Sequence, residues 1–150
     1  MNIQKIKFGT DGWRGIISED FTMERLRIVT QGVAEYLKSK IRDKTPLIVI
    51  GYDTRFMSDR FASVAADIYS LNDIEVILAK EITPTPTLSA AVVKRKADLG
   101  IMITASHNPY YYNGYKIKGS YGGSATMDII GDVEKFVSEV NNDPGKFDAL

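Results

Sequence analysis

The chain has no cysteine and a single histidine, and these two scarcities exclude several kinds of site. Without cysteine there is neither a disulfide framework nor a thiolate zinc site, and one imidazole cannot form a multi-histidine metal centre. Long hydrophobic runs are missing too, since no apolar stretch approaches the ~20 residues that a membrane-spanning helix needs. The first residues contain no apolar segment of the kind found in secretory signal peptides. We therefore expect a protein of the cytoplasm that has no membrane partner.

An excess of either charge is also absent, because Lys+Arg and Asp+Glu number 19 each. A nucleic-acid-binding surface depends on many phosphate contacts from lysine and arginine, so this balance argues against a nucleic-acid partner. It leaves room for a small local anion site. The 150 residues, of which 44% are hydrophobic, suffice for one folded domain with a substantial core.

The spacing of apolar residues predicts strands that alternate with helices. Short apolar or alternating runs predict strands at residues 3–8, 15–17, 47–51, 75–79, 100–104 and 115–118. Helical spacing predicts helices at residues 22–40, 58–70, 83–97 and 130–140. This order is typical of α/β proteins, and we expect a three-layer α/β/α sandwich with a mixed, mostly parallel sheet. We expect residues 1–141 to form the domain and residues 142–150, which begin with turn-forming residues, to form a linker.

The most informative stretch is residues 100–109, which read Gly-Ile-Met-Ile-Thr-Ala-Ser-His-Asn-Pro. An apolar run typical of a buried strand stops at small and polar residues, and the Asn-Pro pair prevents the strand from continuing. The hydroxyl of Ser106 thus follows the carboxyl end of a strand, where α/β sheets place reactive groups. Backbone amides of the 105–108 turn are candidate donors to a phosphoryl group.

Such a phosphoryl group would need cations nearby to offset its charge, and His107, Lys116 and Arg14 are the candidates. The alternative is that Ser106 and Asn108 only cap a turn and that His107 is a solvated loop residue. The residues by themselves leave both interpretations open.

A second candidate is the segment 8–15, in which three glycines recur at every third position and let the backbone approach a ligand closely. It matches neither a dinucleotide-binding fingerprint nor a Walker A loop, and the alternative is a hairpin with Trp13 packed on the core.

A third candidate site is the segment 51–55, which lies at the end of another predicted strand. There we favour an internal Asp–Arg pair and a helix cap over direct catalysis. The three tyrosines at 110–112 form either an aromatic stacking surface or part of the loop's packing.

These strings, together with Asn-Gly-Tyr-Lys at 113–116, closely resemble the first domain of the α-D-phosphohexomutases, the phosphoglucomutase/phosphomannomutase family. The resemblance spans nearly the whole chain, in the family's order and spacing. Thr-Ala-Ser-His-Asn-Pro at 104–109 is the most specific string. The Trp in Gly-Thr-Asp-Gly-Trp-Arg-Gly and the Thr before Ala105 look more like glucose and mannose mutases than phosphoglucosamine mutases.

The resemblance implies that Ser106 carries a phosphoryl group and gives it to a sugar phosphate. The bisphosphate that forms then reorients and returns its other phosphoryl group to the serine. Hexose 1-phosphate and hexose 6-phosphate, of glucose or mannose, interconvert in this way. The resemblance also implies roles for other residues: Lys116 as general acid and base, Arg14 and His107 as neighbours of the phosphoserine, and Thr10 and Asn108 as supports of the loop.

The resemblance further implies a magnesium ion, bound to a phosphoryl oxygen on Ser106 and to carboxylates, and a hexose 1,6-bisphosphate activator. The family's Asp-Gly-Asp-x-Asp-Arg metal loop belongs to a second domain and does not occur in residues 1–150. We therefore expect an isolated first domain whose partners are a sugar phosphate and the remaining domains, and whose activity alone is lost or very small. The alternative is a non-catalytic, stand-alone binding or scaffolding domain with the same fold.

Overall fold

The computed structural model describes residues 6–143 and residue 145, which form five strands and four helices. The strands are β1 (Gly12–Ile16), β2 (Leu47–Tyr52), β3 (Glu75–Leu78), β4 (Leu99–Ile103) and β5 (Tyr112–Gly119). The helices are α1 (Met23–Lys40), α2 (Ser58–Leu71), α3 (Thr85–Arg95) and α4 (Met127–Asn142).

The five strands form one mixed sheet in the order β1-β5-β4-β2-β3. Strand β2 pairs in parallel with β3 and β4, whereas β5 is antiparallel to both of its neighbours, β1 and β4. Every strand except β5 therefore runs in the same direction. The prediction of a mixed, mostly parallel sheet is confirmed.

Helices cover both faces of the sheet. Alternate residues of β2 point to opposite sides: Ile48 and Ile50 lie in a large core with α1, α2 and α4, and Val49 lies in a smaller core with α3. The smaller core is completed by Leu88 and Val92 of α3. The predicted three-layer sandwich is thus confirmed, with three helices on one face and a single helix on the other.

Local sequence accounts for the ends of the longest helices. The side chain of Thr22 accepts a hydrogen bond from the amide of Arg25 at the start of α1, and Thr126 caps α4 in the same way. The last turn of α1 carries Lys38 and Lys40, where cations favour the helix dipole. These signals agree with the predicted helix over residues 22–40.

The strand predicted at residues 3–8 is wrong for the part that the structure describes. Residues 6–9 have no regular secondary structure, and residues 3–5 lie outside the described range. Ile6 is buried in the core, but the amide of Phe8 donates to the side chain of Glu134 on α4, 2.8 Å away, instead of to a strand. The strand predicted at 15–17 begins earlier, at Gly12, because β1 pairs with β5 from that residue onward.

Helix α4 ends at Asn142, one residue beyond the predicted domain boundary. The linker at 142–150 stays a prediction, since residues 144 and 146–150 lie outside the described part of the chain. None of the helices described combines the length and the apolar character that crossing a membrane requires.

Helices α1 and α4 are in close contact at Gly32, where a Cβ would lie 2.5 Å from Cγ2 of Val137 and 2.7 Å from its Cα and N. Because the obstructing atoms include backbone, the helices would have to move apart to admit even one methyl group. Gly131 on α4 is the opposite case, since a Cβ there would meet nothing within 4 Å.

We predict that Gly32→Ala destabilises the fold by about 2 kcal/mol, because overpacking outweighs the helix propensity gained. The matched control, Gly131→Ala, should stabilise it by roughly 0.5–1 kcal/mol, because it adds propensity without a clash. Urea unfolding of the two variants measures both effects. Equal changes in the free energy of unfolding would contradict the close packing of α1 on α4.

The large core also contains a pair of hydrogen-bonded tyrosine hydroxyls, Tyr69 on α2 and Tyr115 on β5. Both side chains are fully buried. Burial raises the pKa of Tyr69 well above its ordinary value, and the neighbouring Tyr115 adds to the effect. Burial also raises the pKa of Tyr115, against an opposing influence of hydrogen bonds from Tyr69 and Thr30.

This pair makes stability fall at alkaline pH. Below pH 10, the ordinary tyrosine value, both hydroxyls are protonated in the folded and unfolded chains, so the stability is fully present. Above it the unfolded chain releases these protons while the folded chain retains them, so stability falls by up to ~1.4 kcal/mol per pH unit for each tyrosine. We predict a shallower loss above pH 10 for Tyr69→Phe and no change in slope for the exposed control Tyr110→Phe. Urea unfolding across this pH range measures the slopes, and identical slopes for wild type and Tyr69→Phe would contradict the prediction.

Candidate active site

Ser106 lies three residues beyond the end of β4, on the exposed loop that leads to β5. Its backbone is in the left-handed region, with φ 57°. A residue that carries a Cβ adopts this conformation at a cost of order 1–3 kcal/mol, so the surrounding structure must hold it there. The serine hydroxyl is thereby presented at the carboxyl edge of the sheet, as the sequence predicts.

The side chain of Arg55 restrains the loop backbone in this conformation. Its Nη2 donates to the carbonyl oxygens of Ser106 and Asn108, at 2.9 and 2.7 Å. Its Nη1 donates to the carbonyl oxygens of Pro109 and Tyr112, at 2.8 and 3.0 Å. A single planar guanidinium therefore binds four carbonyls of the loop between β4 and β5, which lysine could not do with its single ammonium.

The position of Arg55 is itself determined by Asp53 at the end of β2. The Asp53 carboxylate lies 3.3 Å from Nε of Arg55 and accepts hydrogen bonds from the Arg55 amide and the Ser58 hydroxyl, both at 2.9 Å. The predicted Asp–Arg pair is thus present. The predicted helix cap is not, since α2 begins after Met57, which has a left-handed backbone and makes no side-chain cap. The Asp53 carboxylate instead bonds to Arg55 and to the hydroxyl of Ser58, the first residue of the helix.

Two of the four amides of the 105–108 turn are engaged within the loop. The amide of Ser106 donates to Oγ1 of Thr104 at 3.0 Å, and the amide of Asn108 donates to the carbonyl of Ala105 at 3.0 Å. The amides of Ala105 and His107 have no partner among the described residues, so they remain candidate donors to a phosphoryl group. Because amides carry no net charge, the positive charge for an anion comes from side chains.

Two of the predicted cations are linked to one another. Asp11 binds Nζ of Lys116 at 3.0 Å with one carboxylate oxygen and lies 3.7 Å from Nη2 of Arg14 with the other. Arg14 in turn donates from Nη1 to the side-chain oxygen of Asn108, at 2.9 Å. A continuous polar chain therefore connects Lys116 on β5, Arg14 on β1 and the loop that carries Ser106.

The remaining predicted site residues occupy more solvated positions. His107 is exposed and makes no side-chain hydrogen bond or ion pair with the residues described, which agrees with the solvated-loop interpretation. Thr10 lines a depression of about 370 Å³ together with Lys7 and Arg14. The side chain of Asn108 does not cap the turn, as the alternative interpretation supposed, but accepts from Arg14.

Sequence reasoning missed the roles of Asp11 and Arg55. Asp11 precedes Arg14 by three residues in a segment otherwise rich in glycine, so an Asp–Arg pair could have been inferred locally. The role of Arg55 could have been inferred only from the parallel neighbourhood of β2 and β4, which brings their carboxyl ends together.

The described residues do not form a magnesium site. No group of three or more histidine or acidic side chains able to hold a metal ion occurs in this part of the chain. The carboxylate of the polar chain, that of Asp11, is already engaged by two cations.

We predict that Arg55→Lys loosens the loop without unfolding the domain, because one ammonium cannot replace four carbonyl hydrogen bonds. Hydrogen exchange at the amides of Asn108 and Tyr112, which are bonded inside the loop, should become roughly tenfold faster or more. The control is Arg60→Lys on the exposed side of α2, which should leave these amides unchanged. An unchanged hydrogen-exchange rate in Arg55→Lys would contradict the prediction, because it would show that the loop's own hydrogen bonds suffice to maintain its conformation.

Comparison with known proteins agrees with this architecture. The family described as phosphoglucomutase/phosphomannomutase, alpha/beta/alpha domain I, matches residues 5–143. The phosphoglucomutase of Staphylococcus epidermidis is 38% identical over 143 residues, which cover 91% of this chain and 25% of that protein. The phosphoglucomutase of Staphylococcus aureus strain USA300 is 39% identical over 150 residues, which cover 96% of this chain and 26% of that protein.

Among solved structures, a Thermus thermophilus protein assigned as a phosphomannomutase superposes with a TM-score of 0.86 at 37% identity, over 89% of this chain and 30% of that one. The chain spans about a quarter of the length of the curated relatives it matches. It belongs to the phosphoglucomutase/phosphomannomutase family and corresponds to domain I of that family.

Proposed function

We propose that this chain is the phosphoserine-bearing domain of a phosphohexomutase that interconverts hexose 1-phosphate and hexose 6-phosphate, of glucose or mannose. The observation that carries the proposal is the exposed hydroxyl of Ser106, held in a left-handed conformation by Arg55 and linked through Asn108 to Arg14 and Lys116. A residue held in a strained conformation next to cations fits a group that must be presented to a charged substrate.

In the proposed reaction, the bond between phosphorus and Oγ of Ser106 breaks as a hydroxyl oxygen of the sugar phosphate bonds to the phosphorus. Lys116 donates a proton to Oγ of Ser106 as that oxygen leaves and accepts the hydroxyl proton of the sugar in return, and both transfers run in reverse when the other phosphoryl group of the bisphosphate moves to Ser106. Asp11, 3.0 Å from Nζ of Lys116, fixes the amine in position. Arg14 offsets the phosphoryl charge, and the side chain of His107, the next residue after Ser106, is a further hydrogen-bond donor.

The proposal also includes a metal ion, an activator and the partners of the chain. Magnesium, held mainly by groups outside residues 1–150, would neutralise phosphoryl charge, and a hexose 1,6-bisphosphate would load the serine. The partners are the sugar phosphate and the other domains of a mutase, in the cytoplasm. Because the described residues form no metal site, we propose that this chain has little or no turnover by itself.

The test is a chimera in which this chain replaces the matched quarter of the Staphylococcus aureus phosphoglucomutase. We predict that glucose 1,6-bisphosphate adds one phosphoryl group to the chimera, detected by intact mass, and that Ser106→Ala abolishes both this addition and mutase turnover. The control is Ser120→Ala, another exposed serine, which should change neither.

Turnover that survives Ser106→Ala would contradict the proposal. A folded chimera that takes up no phosphoryl group and has no turnover would favour the non-catalytic binding or scaffolding alternative. Circular dichroism of the chimera establishes that it is folded.

A further inference from the structure

Asn113 is a polar side chain buried near the start of a strand. It lies on β5, three residues before Lys116, and none of its surface is exposed. Asparagine is depleted in strands, and burying an amide side chain costs free energy unless its polar groups are bonded. An apolar residue would suit this position better for stability alone. A residue that departs from two local preferences at once is a candidate for a functional role.

The side-chain NH₂ of Asn113 begins a route of hydrogen bonds that ends at Ser106. It donates to Oγ of Ser58 at 3.0 Å, and Ser58 is also fully buried. The Ser58 hydroxyl donates to the Asp53 carboxylate at 2.9 Å, and the same carboxylate binds the amide and Nε of Arg55. Arg55 then donates to the carbonyl of Ser106.

The side-chain oxygen of Asn113 supports Ser106 through a second route. It accepts a hydrogen bond from the amide of Gly114 at 2.8 Å, and the carbonyl of Gly114 accepts from the amide of Thr104 at 3.0 Å. Oγ1 of Thr104 accepts in turn from the amide of Ser106, also at 3.0 Å. The amide and the carbonyl of Ser106 are therefore both held, and both routes lead back to one side chain.

The direction of the bonds in the first route is fixed. Because the Ser58 hydroxyl uses its single proton on Asp53, its oxygen can only accept from Asn113. The opposite orientation of the Asn113 amide would place its NH₂ against the amide of Gly114, which is itself a donor. Bonds aligned in this way also strengthen one another. The position therefore requires a donor towards Ser58 and an acceptor towards Gly114.

We propose, on the basis of the proposed function, that Asn113 is a positioning residue for phosphoryl transfer, because its amide fixes the loop of Ser106 relative to Lys116 on the same strand. The transfer needs the serine oxygen and the lysine amine at a defined separation, and a displacement of about 1 Å can lower a rate about a hundredfold. Asn113 acts through Arg55 and Thr104.

The experiment uses the chimera with the Staphylococcus aureus phosphoglucomutase. Asn113→Asp keeps the shape of the side chain, but its ionised carboxylate lacks the donor towards Ser58. At about pH 8 we expect kcat to fall roughly tenfold to hundredfold and KM for glucose 1-phosphate to change less than about twofold. Ser58→Ala interrupts the same route and should also lower kcat without changing KM. If Asn113→Asp does not fold, Ser58→Ala decides.

The pH profile separates positioning from a general loss of stability. Burial and the carboxylate of Asp53 raise the pKa of the introduced carboxyl against the opposing charge of Arg55, so it takes up a proton as the pH falls to about 5.5. The protonated carboxyl again has one donor and one acceptor. The ratio of variant to wild-type kcat should therefore rise towards one at low pH for Asn113→Asp and stay constant for Ser58→Ala.

Asn72→Asp is the matched control. Its amide donates to the side chain of Gln31 at 2.7 Å and to the carbonyl of Ile68 at 2.9 Å, at the other end of α2. The substitution therefore breaks a polar contact of the same kind far from the loop. We expect it to lower stability and to leave kcat unchanged.

Hydrogen exchange provides a readout that is independent of turnover. The amides of Asn108 and Tyr112 should exchange roughly tenfold faster in Asn113→Asp than in wild type at the same pH, and at the wild-type rate in Asn72→Asp. Wild-type kcat in both Asn113→Asp and Ser58→Ala, a kcat ratio for Asn113→Asp that is independent of pH, or an equal fall in Asn72→Asp would each overturn the proposal.

The outcome is separable from that of the phosphorylation experiment. If the wild-type chimera takes up a phosphoryl group and turns over, but the Asn113 and Ser58 variants match it, the positioning proposal alone fails. If the wild-type chimera does neither, the proposed function fails. The exchange rates then decide whether Asn113 positions the loop, and unchanged rates would overturn that role too.

Discussion

The candidate site depends on one guanidinium. Arg55 emerges from the carboxyl end of β2 and binds four carbonyls of the loop that follows β4, so it joins two parallel strands at the edge where α/β proteins place reactive groups. The same contact restrains Ser106 and the tyrosines at 110–112. Since Asp53 and Ser58 in turn fix the arginine, the end of the central strand β2 restrains the loop in addition to the loop's own hydrogen bonds.

The cations near the loop of Ser106 differ in how their charge is balanced. Asp11 holds Arg14 and Lys116 in a partly paired, positively charged group. The charge of Arg55 is balanced by Asp53, and its donors are engaged by carbonyl oxygens, so it has none left for an anion. A chain with no net charge can therefore still present a local anion site, and the balance of its composition says nothing about how its charges are distributed.

Local patterns predicted the elements well because helix and strand periodicities are properties of neighbouring residues. The helix expected at 22–40 is Met23–Lys40, and Ser106 follows a strand as expected. Strand order and long-range bonds could not be predicted in this way. The alternation at 3–8 resembles a strand, yet Phe8 bonds to a side chain of α4, and the four contacts of Arg55 require β2 and β4 to be neighbours. The family resemblance supplied the candidate site residues, but their mutual contacts emerged only from the fold.

The left-handed backbone of Ser106 determines how a substitution at this position affects the stability of the loop. Glycine would adopt the same φ of 57° without strain, so replacing the serine by glycine would relax the loop. The substitution that relieves this strain therefore also deletes the hydroxyl. A serine at such a position exposes its hydroxyl at the expense of a strained backbone, which is the compromise that the proposed function requires.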